Sequence, residues 1–210
     1  MPLEVEMKLA IPGNVSPEDL FADPMVIEAC RSERETIHML SRYYDNENGD
    51  LSARRWTLRL RQEGERTVLC CKTSTEGLAA GLFRRGEWQI FCDDVRSGIP
   101  LLVAEGAPEE LTALTASSPL IERCSVEFDR QAVQLELPQG VIVEMSVDAG
   151  VIRAGGREQP LYECELELLF GRPEDLEPLS ELFMEKYRLI PEAKSKYARA
   201  LELCAAAKEN

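Results

Sequence analysis

Two short runs of acidic residues stand out by their spacing: Glu4-x-Glu6-x-Lys8 near the start of the chain and Glu163-x-Glu165-x-Glu167 much later. Alternate side chains of a β-strand point the same way, so each run presents its charges on one face. Two carboxylates about 6–7 Å apart repel by about 2–3 kcal/mol at an effective dielectric near 20, a cost that a free surface has little reason to accumulate. A divalent cation placed between them turns that repulsion into binding, and oxygen-only ligands suit a hard cation.

Basic residues form the complementary set. Arg59 and Arg61 share a face of Thr57-Leu58-Arg59-Leu60-Arg61, Lys72 shares one with Cys70, and Arg85 lies with Glu87 and Gln89. Guanidinium forks match phosphate oxygens two at a time, and lysine acts as a point charge. Glu144, Ser146 and Asp148 make a further shared face, while Val141, Val143, Met145 and Val147 make the opposite one. Ordinary antiparallel strands with apolar residues inside and charges in water produce such alternation too. The three same-sign carboxylates at 163–167, and clustered arginines in an otherwise acidic chain, argue instead for a charged interior that binds a polyanion chelated to metal.

The chain has 210 residues, 44% of them apolar, with 38 acidic against 24 basic residues and a net charge of −14. That length suits one domain over 1–210 with a packed core. The acidic balance disfavours nucleic acid as a partner, since such proteins hold phosphate backbones with excess Lys and Arg. Seven cysteines without a C-x-x-C pair do not read as a disulfide framework, which points to the reducing cytoplasm. The N-terminus lacks the pattern of a signal peptide and no long apolar run exists, so no membrane role is expected.

The elements that must position these residues follow from periodicity. Residues 3–9 alternate as a strand, and Ser16-Pro17-Glu18-Asp19 opens a helix expected over 17–41 with a break at Pro24. Strands are expected at 42–46, 55–63, 66–73 and 83–92, with a Gly-rich loop at 77–81, then a short helix at 108–117. Further strands are expected at 122–129, 131–137, 141–148 and 161–169, with turns at Pro138-Gln139-Gly140 and Gly155-Gly156. Pro173 begins a helical region, and Ser195 caps a last helix through about Lys208. The fold class is α+β, an antiparallel sheet or barrel with helices at both ends.

In this order the chain resembles the CYTH superfamily, the triphosphate tunnel metalloenzymes. Glu4-x-Glu6-x-Lys8 is followed by Tyr43-Tyr44-Asp45, Leu58-Arg59-Leu60-Arg61, Lys72, Arg85-Gly86-Glu87-Trp88 and Phe128-Asp129-Arg130. Val143 to Gly150, Glu163-Cys164-Glu165-Leu166-Glu167 and Ser195-Lys196-Tyr197-Ala198 complete the series over nearly the whole chain. The likeness is strongest to the catalytic domain of bacterial inorganic triphosphatases. It implies an eight-stranded antiparallel β-barrel, a tunnel with a charged lumen covered by helices.

The resemblance also implies roles. Glu4, Glu6, Glu163, Glu165 and Glu167 would hold Mg²⁺ or Mn²⁺. Lys8, Arg59, Arg61, Lys72, Arg85, Arg130 and Lys196 would grip the phosphates, with Glu4, Glu6, Glu165 and Lys8 closest to the chemistry. Glu87, Glu144 and Asp148 would touch metal or water, Glu144 and Asp148 alternatively pairing with the lumen arginines. The partner would be a small triphosphate, the protein a monomer or homodimer. Hydrolysis of tripolyphosphate leads, beside a class IV adenylyl cyclase, a thiamine triphosphatase or a silent polyphosphate or nucleotide binder. Outside this scheme, His38 reads as a helix residue at a surface or packing position, Cys70 as a small filler in the lumen, and Arg123 as either a phosphate ligand or solvent-facing.

Overall fold

The computed structural model describes residues 3–74 and 82–208, so the loop expected at 77–81 lies outside the described residues. Strands β1 (Leu3–Ala10), β2 (Glu35–Asn46), β3 (Thr57–Glu63), β4 (Arg66–Ser74) and β5 (Leu82–Phe91) precede three long ones. These are β6 (Leu120–Leu137), β7 (Val141–Ala154) and β8 (Arg157–Phe170). The pairing order runs β5-β4-β3-β2-β6-β7-β8-β1, and β1 also pairs with β5. All these pairings are antiparallel, so the sheet closes into an eight-stranded barrel. Closure leaves none of the eight without neighbours on both sides. A two-residue strand, β9 (Ile190–Pro191), adds to the end of β1.

Alternation decides which face each side chain takes. The outward residues of β1, β7 and β8 (Val5, Met7, Val143, Met145, Cys164, Leu166) are buried beneath helices α1 (Pro17–Phe21), α2 (Pro24–Ala29) and α6 (Glu177–Tyr187). On the other side, Leu58, Leu69, Cys71 and Trp88 pack beneath α3 (Asp50–Ala53), α4 (Val95–Ala104) and α5 (Glu110–Ala116). Asp23 caps α2 through the Met25 N–H at 2.8 Å and accepts from Lys186 at 2.6 Å and Tyr187 at 2.8 Å, which ties α2 to α6.

A third cluster lies inside the barrel. Met39, Tyr43, Val126, Phe128, Ile152 and Leu161 point inward and pack with Tyr197 and Ala200 of α7 (Lys196–Lys208). One end of the lumen is therefore filled by side chains and by a helix, as small barrels commonly are. At Gly150 the β6 backbone comes so near that an added Cβ would lie 2.1 Å from the Glu127 carbonyl oxygen, so only glycine fits.

The structure corrects several expected elements. The helix expected over 17–41 is two short helices, and residues 35–41 belong to β2. Ile37, Leu40 and Tyr44 fall at helix spacing, but the inward series Met39, Ser41 and Tyr43 is the one buried. His38 is accordingly a strand residue, at the surface, with Nδ1 2.8 Å from Asp129. The two strands expected at 122–129 and 131–137 are one continuous strand, because Asp129-Arg130-Gln131 continues the alternation instead of turning. Helix α4 carries no pattern that the periodicity reading picked out. The hairpin turns are where expected, with Gly155 and Gly156 both at positive φ, 57° and 73°. No helix among the described residues is long and apolar enough to cross a membrane, and the seven cysteines are free.

Candidate active site

The inward face beyond the apolar end encloses a cavity of about 290 Å³ whose wall combines carboxylates, guanidinium groups and ammonium groups. Register builds its layers. Across β1 and β8, Lys8 opposes Glu165 and Glu6 opposes Glu167. Across β7 and β8, Asp148 opposes Glu163 and Glu144 opposes Glu167, while Arg130 of β6 opposes Asp148.

Next to the apolar end these groups form a dense ionic net. Asp148, Glu163 and Glu165 each offer a carboxylate oxygen within 4.8 Å of the others. Lys196 enters from α7, with Nζ 2.8 Å from Asp148, 2.5 Å from Glu163 and 2.9 Å from Glu165. Arg130 grips Asp148 through two bonds of 2.7 Å and also donates to Glu165. Lys8 lies 3.0 Å from Glu165, and Arg199 donates to Glu163 at 2.7 Å. Four cations thus face three carboxylates, all buried or nearly so. Burial alone would push Glu165 up, yet Lys196, Lys8 and Arg130 hold it well below the ordinary carboxylate range. Burial would lower Lys196, and Asp148, Glu163 and Glu165 hold it well above the usual lysine value instead.

Farther along the lumen the balance reverses. Glu4, Glu6, Glu87, Glu144 and Glu167 line the cavity with Lys72 and Arg85 as the cations set among them. Lys72 contacts Glu4 at 2.5 Å and Glu87 at 3.3 Å, and Arg85 donates to Glu6 at 2.6 Å. Oε2 of Glu4 is buried without a hydrogen-bond partner. Burial, and then the charges of Glu4, Glu6 and Glu144, push the Glu167 carboxyl up to about 7, against the opposing pull of Lys72. Glu87 goes the other way, down to about 2: burial opposes ionisation, but Lys72 and Arg59 outweigh it. An orphaned carboxylate oxygen and a carboxyl crowded by like charges are what a divalent cation would relieve, so these oxygen donors fit a hard cation.

The third group is cationic. Arg59 and Arg61 project from β3 into the cavity, and Nε of each is buried without a hydrogen-bond partner. Arg61 also contacts Glu63. A buried guanidinium with an unmet donor is costly unless an anion completes it. Oxygens of a polyanion can do so while a cation screens the acidic wall.

The residues expected at the site therefore do come together: Glu4, Glu6, Lys8, Arg59, Arg61, Lys72, Arg85, Glu87, Arg130, Glu144, Glu165, Glu167 and Lys196 line this cavity. Asp148 and Glu163 sit behind it, fully buried in the ionic net. Asp148 is in practice a partner of Arg130 and Lys196, one of the two alternatives the sequence left open. Cys70 is the expected filler, donating to Glu87 at 3.1 Å, its thiol pushed up to about 12 by burial. Arg123 is not among the residues lining this cavity and donates to the carbonyls of Asn46 and Glu47. Sequence reasoning assigned nothing to Arg199, whose position three residues after Lys196 on one helix face was the available signal, nor a role to Tyr43 and Tyr197.

The CYTH domain model matches residues 2–201. An inorganic triphosphatase of Haemophilus influenzae is 28% identical over 173 residues, 82% of this chain and 47% of that protein, so the chain spans about half the length of that relative. Among solved structures, HpAC1 from Hippeastrum, described as a supposed adenylyl cyclase with a dominant triphosphatase activity, superposes with TM-score 0.63 at 20% identity, covering 95% of each chain. A Pyrococcus horikoshii protein gives TM-score 0.57 at 20% identity, over 95% of this chain and 99% of that one. At such identities these two structures bear on the fold, and they share the closed barrel. With the family model spanning the barrel from β1 into α7, the chain belongs to the CYTH domain family.

Proposed function

We propose that this chain hydrolyses a triphosphate, foremost inorganic tripolyphosphate to pyrophosphate and phosphate, with Mg²⁺ or Mn²⁺ as cofactor. The observation that carries the reading is the division of one lumen into an under-neutralised carboxylate wall and two arginines whose buried Nε donors are unmet. The Haemophilus influenzae relative, named an inorganic triphosphatase, supports the same reaction class.

Glu4, Glu6 and Glu167, with Glu165 and Glu144 beside them, would hold the metal. Glu163 joins Glu165 deeper in the lumen, where the two carboxylates with Asp148 stand close enough to share an ion and are each paired with Lys196. Bound there, a divalent cation supplies charge neutralisation for the phosphate oxygens and for the charge that develops on the leaving pyrophosphate. Arg59 and Arg61 bind and orient the phosphate chain, and Lys8, Lys72, Arg85, Arg130 and Lys196 surround it with positive charge. A lumen carboxylate orients a water toward the terminal phosphorus. The oxygen of that water bonds to the terminal phosphorus as the bridging P–O bond breaks; the water's proton passes to the carboxylate, and pyrophosphate departs with the electron pair of the broken bond. Positioning and preorganised charge supply most of the rate.

The test is to incubate the protein with Mg²⁺ or Mn²⁺ and tripolyphosphate, ATP or thiamine triphosphate, and to identify the products. Phosphate released fastest from tripolyphosphate supports this reading. Cyclic AMP from ATP would make the chain a cyclase, faster thiamine triphosphate cleavage a thiamine triphosphatase, and binding without turnover a silent module.

A further inference from the structure

Lys196 reaches the lumen carboxylates from the first turn of α7, and its neighbour Tyr197, which lines the same cavity, turns toward β2 and α3. The Tyr197 ring stacks on Tyr43 of β2, with centroids 5.1 Å apart and planes 13° from parallel. The Tyr197 hydroxyl lies 2.9 Å from Oγ of Ser52 in α3. Ser52 spends its own proton on Asp45 at 2.5 Å, so the phenol is the donor in that contact. Burial pushes the phenol up to about 12, which keeps that proton in place at neutral pH.

Asp45 is a fixed anchor. It is fully buried and accepts from the N–H groups of Asn46 at 2.8 Å and of Leu51 and Ser52 at 3.0 Å each. Its place is set by backbone. Consecutive residues of a helix project about 100° apart. The start of α7 is thus held between two walls: Tyr197 on β2 and α3, Lys196 on the carboxylates of β7 and β8.

We propose that Tyr197 is a positioning residue for Lys196, setting through Tyr43, Ser52 and Asp45 how deeply α7 carries that ammonium into the lumen. This rests on the reading of Lys196 as a phosphate contact. Tyr197 lines the same cavity, but its hydroxyl is spent on Ser52 and its ring on Tyr43. On this proposal its effect on binding runs through Lys196, so that effect vanishes when Lys196 has no charge.

Two measurements on the whole chain test this. In the first, Tyr197→Phe and Ser52→Ala are treated with an amine-reactive reagent and Lys196 labelling is read by mass spectrometry, with buried Lys8 as internal control. Labelling of Lys196 should rise by about threefold to tenfold, the scale of one lost hydrogen bond, while Lys8 stays protected. Unchanged Lys196 labelling in both variants overturns the proposal. In the second, calorimetry of tripolyphosphate binding to metal-free protein compares wild type, Tyr197→Phe, Lys196→Met and the double variant. Tyr197→Phe should weaken binding about threefold or more in the wild-type background and have no further effect beside Lys196→Met. An equal loss in both backgrounds overturns the proposal, since Tyr197 would then act independently. If Lys196→Met leaves affinity intact while Tyr197→Phe exposes Lys196 to labelling, the positioning stands and the phosphate role of Lys196 fails.

Discussion

Glu6 and Glu167 face each other directly across the β1–β8 pair, two residues along from the oppositely charged pair Lys8 and Glu165. Across this one strand pair, like charges are opposed on the acidic wall and unlike charges at the ionic net. That alternation sets the acidic wall apart from the buried net and suggests how each will respond to pH and substitution.

Glu167 is held up to about 7 in the folded protein, against 4.5 for its ordinary value. Between those pH values the folded chain keeps a proton that the unfolded chain releases. Metal-free stability should therefore fall as pH rises from about 4.5 to 7 on account of this group, and stay reduced above. Glu167→Gln removes the slope. Its stability relative to wild type, from urea midpoints in chelator, should improve by about 2 kcal/mol between pH 4.5 and 8, discounted from the full linkage because the side chain is partly exposed. A difference that stays flat with pH would mean the carboxyl is not crowded.

Glu4→Gln keeps the shape of a side chain that has one orphaned oxygen and one bond to Lys72. Thermal stability should change by less than about 1 kcal/mol. Mn²⁺ affinity by calorimetry should fall by about tenfold or more, and metal-dependent turnover with it. Wild-type turnover in this variant would remove Glu4 from the metal set.

Arg59→Ala takes away a guanidinium whose Nε has no partner within the protein. Tripolyphosphate affinity should drop about tenfold to a hundredfold, the range for hydrogen bonds to charged groups. The melting temperature gives the contrast: it should fall only modestly, because Nε is unmet and the protein loses just the contacts of Arg59 with Tyr43 and Glu87. Unaltered affinity would place Arg59 outside the phosphate path.

Asp148→Asn should behave in the opposite way. Asp148 is fully buried and takes two bonds from Arg130 and one contact from Lys196. Removing its charge leaves those cations under-compensated, a change that costs about 3–5 kcal/mol in comparable buried pairs. Chemical denaturation should show that loss, whereas Glu144→Gln, on the open wall, should leave stability near wild type and weaken Mn²⁺ binding. Equal stability of the two variants would contradict the division of the lumen.

The sequence by itself determined which residues share a face. A strand repeats every two residues, so Glu4 with Glu6, Arg59 with Arg61, and Glu163 with Glu165 and Glu167 were legible locally, as were the glycine turns. Where two periods coincide, local reading fails: Ile37, Leu40 and Tyr44 fit a helix, and only the packing of Met39 and Tyr43 inside the barrel makes 35–46 a strand.

Tertiary structure decided the register and the allocation of charge. Glu6 meets Glu167 through a pairing between strands far apart in sequence, fixed by which apolar faces the helices cover, while Arg130 meets Asp148 through the register of the β6–β7 hairpin. The same acidic run thus supplies Glu163 to a buried ionic net and Glu167 to an open wall. Sequence spacing cannot separate them, because it records direction and not depth. Depth follows from where α7 packs into the barrel, and Lys196 and Arg199 come with it.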